Sequence, residues 1–141
     1  MSRIAANQRI LVLCTGNSAR SQMAEGLLRH LAGDRFEVAS AGTEPSSVNP
    51  LAVAAMREIG VDISRQRSKS VEEFRGQHFT FVITVCDNAN ARCPIFPGAV
   101  QRLHWPLADP AAAVGNAAER LPVFRRVRDE IDQRVRDFVG R

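Results

Sequence analysis

The sequence predicts an α/β fold in which a four-stranded parallel sheet carries helices on both faces. Short apolar and β-branched runs, typical of buried strands, alternate along the chain with longer segments whose apolar residues recur at helical spacing. Parallel strands need crossover connections, and this alternation supplies them. A length of 141 residues, with no internal repeat, low-complexity segment or linker, predicts a single domain over 1–141.

The individual elements follow from local patterns. Strands are expected at about 9–14, 36–40, 79–85 and 100–104, and helices at about 21–32, 50–59 and 117–139, with a short helix at 71–75. Asn49 and Pro50 are a helix start signal, and Gly33 and Gly60 are stop signals. The expected buried face of the last helix consists of Leu121, Phe124, Val127, Ile131, Val135 and Phe138.

The composition excludes several classes of protein. The chain is 45% hydrophobic and 24% charged, which is ordinary for a globular domain, and its net charge of +4 favours anionic partners. Because the arginines are spread among acidic residues, we do not expect nucleic-acid binding. No apolar stretch is long enough to span a membrane, and no signal peptide is visible. Three cysteines in such a chain indicate a reducing, cytoplasmic location in which disulfides are transient and catalytic.

The most informative segment joins the first strand to the first helix. Cys14 ends the apolar strand, a small polar loop follows, and Arg20 precedes the helix. Gly16 and Asn17 tolerate the left-handed backbone angles that an inward-curled loop needs. Such a loop on a helix N-terminus points its N–H groups at an anion, and a guanidinium adds planar donors. The predicted oxyanion-binding residues are Thr15, Gly16, Asn17, Ser18, Ala19, Arg20 and Ser21.

The same surroundings predict a nucleophile at Cys14. A thiol beside a helix N-terminus and an arginine is expected to ionise readily, and the Ser21 hydroxyl is placed to donate to its sulfur. A thiolate and an oxyanion receptor within one loop suit attack on the central atom of a phosphate-like anion. The simpler alternative is a buried strand cysteine followed by an ordinary surface arginine.

The two other cysteines follow the third strand. If the third strand neighbours the first, Cys86 lies near Cys14, and a polar, helix-compatible run then leads to Cys93. One or two helical turns bring Cys86 and Cys93 close enough to bridge, and unwinding that segment carries the pair outward, which suits a thiol relay. The alternative is two unrelated buried cysteines. A metal site is not expected, since His78 and His104 have no ligand spacing with these cysteines.

A candidate acid follows the fourth strand. Pro110 forces an extended conformation on Asp109, which directs the carboxyl group over the rim where the strands end. A carboxylic acid at that position protonates a departing oxygen. An Asp-Pro pair by itself is more often a plain turn.

Together these features resemble the arsenate reductases built on the low-molecular-weight tyrosine phosphatase fold, in particular the thioredoxin-coupled branch. The resemblance extends from Ile10 to about Phe138. It is carried by Cys14–Glu25, Ser40–Gly42, Val48–Pro50, Cys86 with Cys93–Pro94, His104–Trp105 with Asp109–Pro110, and Arg126–Ile131. The phosphatases share the loop and the Asp-Pro pair but lack the cysteine pair at this spacing.

The resemblance implies a mechanism. Arsenate would bind in the loop, with phosphate or sulfate as competing anions, and Cys14 would attack arsenic while Asp109 protonates the leaving hydroxide. Cys86 would then attack Cys14 and expel arsenite, and Cys93 would attack Cys86. Thioredoxin would reduce the resulting Cys86–Cys93 disulfide. Neither a metal nor an organic cofactor is expected to take part, and a monomer is expected.

Two positions depart from the family pattern. Ala19 stands where many relatives carry a further cysteine that is not part of the relay. Some relatives bind potassium beside the loop through Asn, Glu, Ser and Asp side chains. Asn17, Glu25 and Ser40 match three of these, but Lys69 stands at the place of the Asp. We therefore expect the Lys69 ammonium to occupy the position of the cation and to support the loop.

Three rival functions stay open at this point. A phosphatase acting on phosphotyrosine or small phosphate esters would use the same loop and Asp109. A non-enzymatic oxyanion-binding or redox-sensing module would signal through Cys86 and Cys93 without turnover. An arsenate reductase supplied by a low-molecular-weight thiol would need no second resolving cysteine, which makes Cys93 an argument against it.

Overall fold

A computed structural model of the protein describes residues 8–86 and 101–140. Its strands are β1 (Gln8–Cys14), β2 (Phe36–Gly42), β3 (Phe81–Thr84) and β4 (Gln101–His104). Its α-helices are α1 (Arg20–Ala32), α2 (Pro50–Arg57) and α3 (Ala117–Val139), and short 3₁₀ turns lie at Val71–Phe74 and Pro110–Ala112. Within the described residues, no helix is long and apolar enough to cross a membrane.

The four strands form one parallel sheet in the order β2-β1-β3-β4. Cys14 pairs with Gly42, Leu13 with Thr84, and Thr84 with His104. This register brings the carboxyl ends of all four strands to the same edge, which is where ligands bind in sheets of this kind. The predicted α/β fold with a four-stranded parallel sheet is confirmed.

The centre of the sheet is covered on both faces. Four consecutive β1 residues, Ile10 to Leu13, are fully buried, and successive strand side chains point to opposite faces. At the amino end of the sheet, the rings of Phe36 and Phe81 pack against Phe138 of α3. This packing fixes α3 against β2 and β3 and leaves the opposite edge of the sheet for the loops.

The helices match the predicted apolar stripes. In α3, Asn116 forms a capping box with Glu119, and the buried residues include Phe124, Val127, Ile131, Val135 and Phe138 as predicted, whereas Leu121 is only half-buried. The Asn49 side chain accepts a hydrogen bond from the Leu51 N–H at the start of α2. Helix α2 ends at Arg57, two residues before the predicted end at about 59, and Gly60 lies in the turn that follows, with a positive φ of 81°.

The boundaries of two strands, β2 and β3, differ from the prediction. β2 continues through Gly42 instead of ending at Ser40, because its pairing with β1 persists until β1 itself ends at Cys14. β3 begins at Phe81 and ends at Thr84, although the Thr80 and Val85 N–H groups still donate to Arg9 and Leu13 of β1. Side-chain patterns do not specify where the backbone ladder stops.

A charged cluster joins the end of α2 to α3. The Glu58 carboxylate accepts hydrogen bonds from Arg125 and Arg128, with nitrogen–oxygen distances from 2.7 to 3.0 Å. The largely buried Arg128 also donates to the Ala55 carbonyl at 2.8 Å. Hydrogen bonding to the two guanidinium groups, Arg125 first, lowers the pKa of Glu58 to about 2.

We predict that Glu58→Gln lowers the melting temperature at neutral pH by a few degrees. Because the pKa of Glu58 falls from 4.5 to about 2 on folding, its contribution is complete above the unfolded value and is lost as the pH falls through the folded one. The difference from the parent protein should therefore shrink between pH 5 and pH 2, as followed by circular dichroism. Glu130→Gln, which removes an exposed pair with Arg134, is the matched control. A difference that stays constant with pH would contradict the prediction.

Candidate active site

The loop of residues 14–20, called the anion loop below, connects β1 to α1 through a single left-handed residue. Asn17 has a φ of 47°, and its backbone N–H donates to the Cys14 sulfur at 3.1 Å. Gly16, which also tolerates this conformation, does not have a positive φ. Asparagine tolerates this region better than most residues, so one residue is enough to turn the chain inward.

Cys14 lies at the base of the anion loop. Its side chain is 2% exposed, and its sulfur lies 2.8 Å from the Ser21 hydroxyl as well as 3.1 Å from the Asn17 N–H. The N-cap residue of α1, Ala19, makes no side-chain cap hydrogen bond, so its side chain does not compete with an anion for the N–H groups of the first turn. These donors stabilise negative charge on the sulfur and on an anion above it.

The side chain of Asn17 connects the loop to its support. Its amide nitrogen donates to Ser21 at 2.7 Å and to Ser40 at 2.9 Å, and its oxygen accepts from the Lys69 N–H at 2.8 Å. Ser40 in turn donates to the Glu25 carboxylate. The structure therefore brings together all four residues that the sequence suggested as loop-supporting.

Lys69 places its ammonium group beside this network. The nitrogen donates to the Arg67 carbonyl at 2.8 Å and lies 3.7 Å from a Glu25 oxygen. Burial lowers the pKa of Lys69, and the charge of Glu25 acts in the opposite direction. Together with Arg29, which donates to Glu25 at 2.6 Å, the ammonium group places positive charge next to the buried Glu25 carboxylate.

Arg20 and Asp109 face each other across the opening. One Arg20 nitrogen donates to the Leu107 carbonyl at 3.1 Å, and another lies 3.7 Å from the second carboxylate oxygen of Asp109. The first oxygen of Asp109 accepts from the Ala111 N–H at 3.0 Å, and its backbone is extended (φ −85°, ψ 107°), as Pro110 predicted. The carboxyl group is thus aimed at the anion loop, and within residues 8–86 and 101–140 its second oxygen has no backbone donor.

Between these groups lies a cleft of about 310 Å³. It is lined by Cys14, Thr15, Gly16, Ser18, Ala19, Arg20, Ser46, Asp109 and Ala111. None of these residues is aromatic. The cleft therefore offers a nucleophilic sulfur, a cationic fork and a carboxyl group to a small anion.

Cys86 lies next to the anion loop. Its sulfur is 3.2 Å from the Thr15 hydroxyl, because β3 pairs with β1 and the Val85 N–H bonds to the Leu13 carbonyl. Cys14 and Cys86 are both buried. Cys93, the third predicted relay residue, and the polar run that precedes it lie outside the described residues.

Several supporting residues were not predicted from the sequence. The Ser46 and Ser68 hydroxyls both donate to the Gly16 carbonyl, at 3.3 and 3.0 Å. Gln22 donates to both carbonyl groups of Asn17. Ser46 and Ser68 come from loops distant in sequence, and Gln22 is an ordinary polar residue of helix α1. No local sequence pattern distinguishes such residues.

Gly42 is required by close approach. A Cβ atom there would lie 2.5 Å from the Thr15 carbonyl oxygen and 2.9 Å from the Asn17 nitrogen. Both are backbone atoms of the anion loop and cannot move without deforming it. The end of β2 thus acts as a flat backing for the loop.

Among the described residues, no group of three or more His, Cys, Asp or Glu side chains is arranged to hold a metal ion.

Comparison with known proteins agrees with this geometry. The family model described as low molecular weight phosphotyrosine protein phosphatase matches residues 9–141. The chain is 50% identical over 129 residues to an arsenate reductase of Halalkalibacterium halodurans, covering 92% of this chain and 93% of that one. The chain therefore belongs to the low molecular weight phosphotyrosine protein phosphatase family. Within that family, the resemblance to arsenate reductases predicted from the sequence is confirmed.

Two solved structures extend the comparison. One is an arsenate reductase in a phosphate-binding state, with a TM-score of 0.80 and 34% identity, covering 95% of this chain and 98% of that one. The other is a thioredoxin-dependent arsenate reductase of Corynebacterium glutamicum, with a TM-score of 0.68 and 31% identity, covering 96% of this chain and 62% of that one.

We predict that Gly42→Ala weakens the binding of inorganic phosphate by about tenfold or more, because the new methyl group displaces the loop backbone that forms the anion receptor. Titration calorimetry measures this affinity directly. Gly16→Ala is the matched control, since a Cβ there makes only ordinary contacts, with the Ser46 hydroxyl at 3.5 Å and the Ser18 Cβ at 3.7 Å, and should change the affinity far less. Equal affinities for the two variants would show that the close approach at Gly42 does not shape the receptor.

Proposed function

We propose that this protein reduces arsenate to arsenite by a thiol relay that begins at Cys14 and continues through Cys86. The observation that carries the proposal is the position of Cys86 against Thr15 of the anion loop, at 3.2 Å from its hydroxyl. A phosphatase needs only the Cys14 thiolate, the arginine and the acid. A second buried thiol at the loop is what a redox step requires.

The first step uses the anion loop and Asp109. Arsenate binds to the loop N–H groups and to Arg20, and the Cys14 thiolate attacks arsenic to form a sulfur–arsenic bond. Asp109 donates a proton to the departing oxygen, which leaves as water. The oxygen of Asp109 that faces Arg20 is placed for this role, because its other oxygen is held by Ala111.

The second step is the reduction. The Cys86 thiolate attacks the Cys14 sulfur, the sulfur–arsenic electron pair passes to arsenic, and arsenic(V) leaves as arsenite while a Cys14–Cys86 disulfide forms. When Cys86 is a thiolate, the Thr15 hydroxyl at 3.2 Å is the donor to its sulfur. Cys93 then attacks Cys86, which frees Cys14 as a thiolate and leaves a Cys86–Cys93 disulfide.

The cleft supports a small inorganic oxyanion as substrate. Among the described residues that line it, which include Ser46 and Ala111, none is aromatic. An aryl phosphate gains binding energy from aromatic walls, which these positions do not supply. Phosphate and sulfate share the size and charge of arsenate and compete for the loop, so discrimination comes at the redox step.

Thioredoxin is the proposed reductant, and one similar protein is a thioredoxin-dependent arsenate reductase. The proposed setting is the cytoplasm, where reduced thioredoxin is available and disulfides are transient. We further propose that residues 1–141 act as a single-domain monomer, that Cys14, Cys86, Cys93, Arg20 and Asp109 carry the chemistry, and that no metal or organic cofactor takes part.

The test is NADPH consumption with thioredoxin, thioredoxin reductase and arsenate. We predict that the intact protein turns over and that Cys14→Ser, Cys86→Ser and Cys93→Ser each abolish sustained turnover. Without thioredoxin, Cys93→Ser should release one arsenite per chain and stop with Cys14 joined to Cys86, whereas Cys86→Ser should release none. Peptide mass spectrometry identifies the disulfide.

The outcomes separate the rival functions. Sustained turnover by Cys93→Ser would end the relay at Cys86 and require another thiol as reductant. An intact protein that hydrolyses an aryl phosphate but consumes no NADPH would be a phosphatase. Anion binding or cysteine oxidation without either activity would identify a sensor.

We also predict that potassium does not stimulate the enzyme, because the Lys69 ammonium already supplies a positive charge 3.7 Å from Glu25. Rates measured in potassium and sodium salts at equal ionic strength should agree. Lys69→Asp should lower activity in sodium, and part of that loss should return with potassium. A clear rise in the rate of the parent protein with potassium would refute the assignment.

A further inference from the structure

Gln22 lies in the first turns of α1, is fully buried and does not line the cleft. We infer that Gln22 is a positioning residue for Cys14 and that it acts through Asn17. The inference rests on the proposed function only in taking Cys14 as the nucleophile. It concerns a residue that touches neither the anion nor the sulfur.

The hydrogen bonds of Gln22 fix the orientation of its amide. The nitrogen lies 3.0 Å from the Asn17 backbone oxygen, 2.9 Å from the Asn17 side-chain oxygen and 3.0 Å from the Arg67 carbonyl. Two of these are backbone carbonyls, which only accept hydrogen bonds. The Gln22 oxygen faces the other way and accepts from Gln66 at 2.7 Å. The amide therefore cannot turn over without losing all of its partners.

The same reasoning fixes Asn17. Its oxygen faces the Lys69 N–H and the Gln22 amide, which only donate, so its nitrogen faces the hydroxyls of Ser21 and Ser40. Because the Ser21 oxygen accepts from Asn17, its own proton is left for the Cys14 sulfur at 2.8 Å. The direction of the Ser21–Cys14 hydrogen bond is thus set by the amides behind the loop.

Gln22 also closes a ring of hydrogen-bonded side chains. Gln66 accepts from Arg29 at 3.1 Å, and Arg29 donates to Glu25 at 2.6 Å. Glu25 accepts from Ser40, which accepts from Asn17. The ring is closed at Asn17, which contacts Ser40 on one side and Gln22 on the other. Gln22, Glu25 and Arg29 lie on one face of α1 at helical spacing, so the helix itself sets the dimensions of the ring.

Loss of the Gln22 amide removes this constraint. The two Asn17 carbonyl groups lose a shared donor inside the protein, and the left-handed backbone at Asn17, which is intrinsically unfavourable, loses part of its support. Asn17 then relaxes, and its N–H moves away from the Cys14 sulfur. We therefore expect two changes together: the Cys14 thiolate forms only at higher pH, and the anion loop binds phosphate less tightly.

The test uses Gln22→Met, which keeps the length and helix propensity of the side chain without its amide. Alkylation of Cys14 by iodoacetamide is followed against pH by mass spectrometry of the Cys14 peptide, with and without inorganic phosphate. We expect the midpoint of the pH profile to rise by about one unit and the phosphate concentration for half-protection to rise about tenfold. Phe124→Leu, in the buried face of α3, is the control for destabilisation and should lower the melting temperature without either shift.

A second variant keeps the test decisive if Gln22→Met does not fold. Gln66→Leu changes a half-buried loop residue and removes the partner of the Gln22 oxygen, so both shifts should occur in the same direction at about two- to threefold. The inference is wrong if Gln22→Met leaves both the alkylation midpoint and the phosphate protection at parent values. If Gln22→Met does not fold, the same result for Gln66→Leu decides. Neither readout involves arsenate or thioredoxin, so failure of the proposed reductase activity would not mimic this result.

Discussion

Asn17 adopts the left-handed backbone conformation on which the geometry of the anion loop depends. The turn directs its N–H at the Cys14 sulfur and aligns the loop with the N-terminus of α1. Such a conformation is costly for a residue other than glycine unless its surroundings hold it. Here the side chain of Asn17 uses both amide hydrogens and its oxygen in hydrogen bonds to Ser21, Ser40, Gln22 and the Lys69 backbone. The conformation of the anion loop is stabilised because this one residue is held from several directions.

The second constraint is the register of the sheet. β1 lies between β2 and β3. Cys14, at the end of β1, is therefore flanked by Gly42 on one side and by the end of β3 on the other. Gly42 gives the loop room, and β3 delivers Cys86 to Thr15. A difference of one residue in the length of β3 would point Cys86 to the other face of the sheet. The proposed relay therefore depends on backbone pairing as much as on the thiols themselves.

The sequence is sufficient to predict the features that arise from local chemistry. The strand before Cys14, the helix after Arg20, the extended backbone at Asp109 and the start of α2 at Asn49 each follow from neighbouring residues. The tertiary contacts behind the loop do not. Ser46, Ser68 and Gln22 look like ordinary loop or helix residues, and their roles arise only when distant segments meet at Gly16 and Asn17. The choice of Asn17 over Gly16 as the left-handed residue was likewise not predictable, since either tolerates that conformation.

Lys69 has a consequence for how the protein meets its environment. A counter-ion carried on a side chain is ordered when the chain folds, and it is always present at the same local concentration beside Glu25. A dissociable ion would have to be taken from solution, at an occupancy that varies with the salts around it. In the proposed arrangement, the charge beside Glu25 belongs to the chain itself, so the support of the anion loop does not depend on which salts are present. In that arrangement, a change in the concentration of the dissociable ion could not regulate the anion loop.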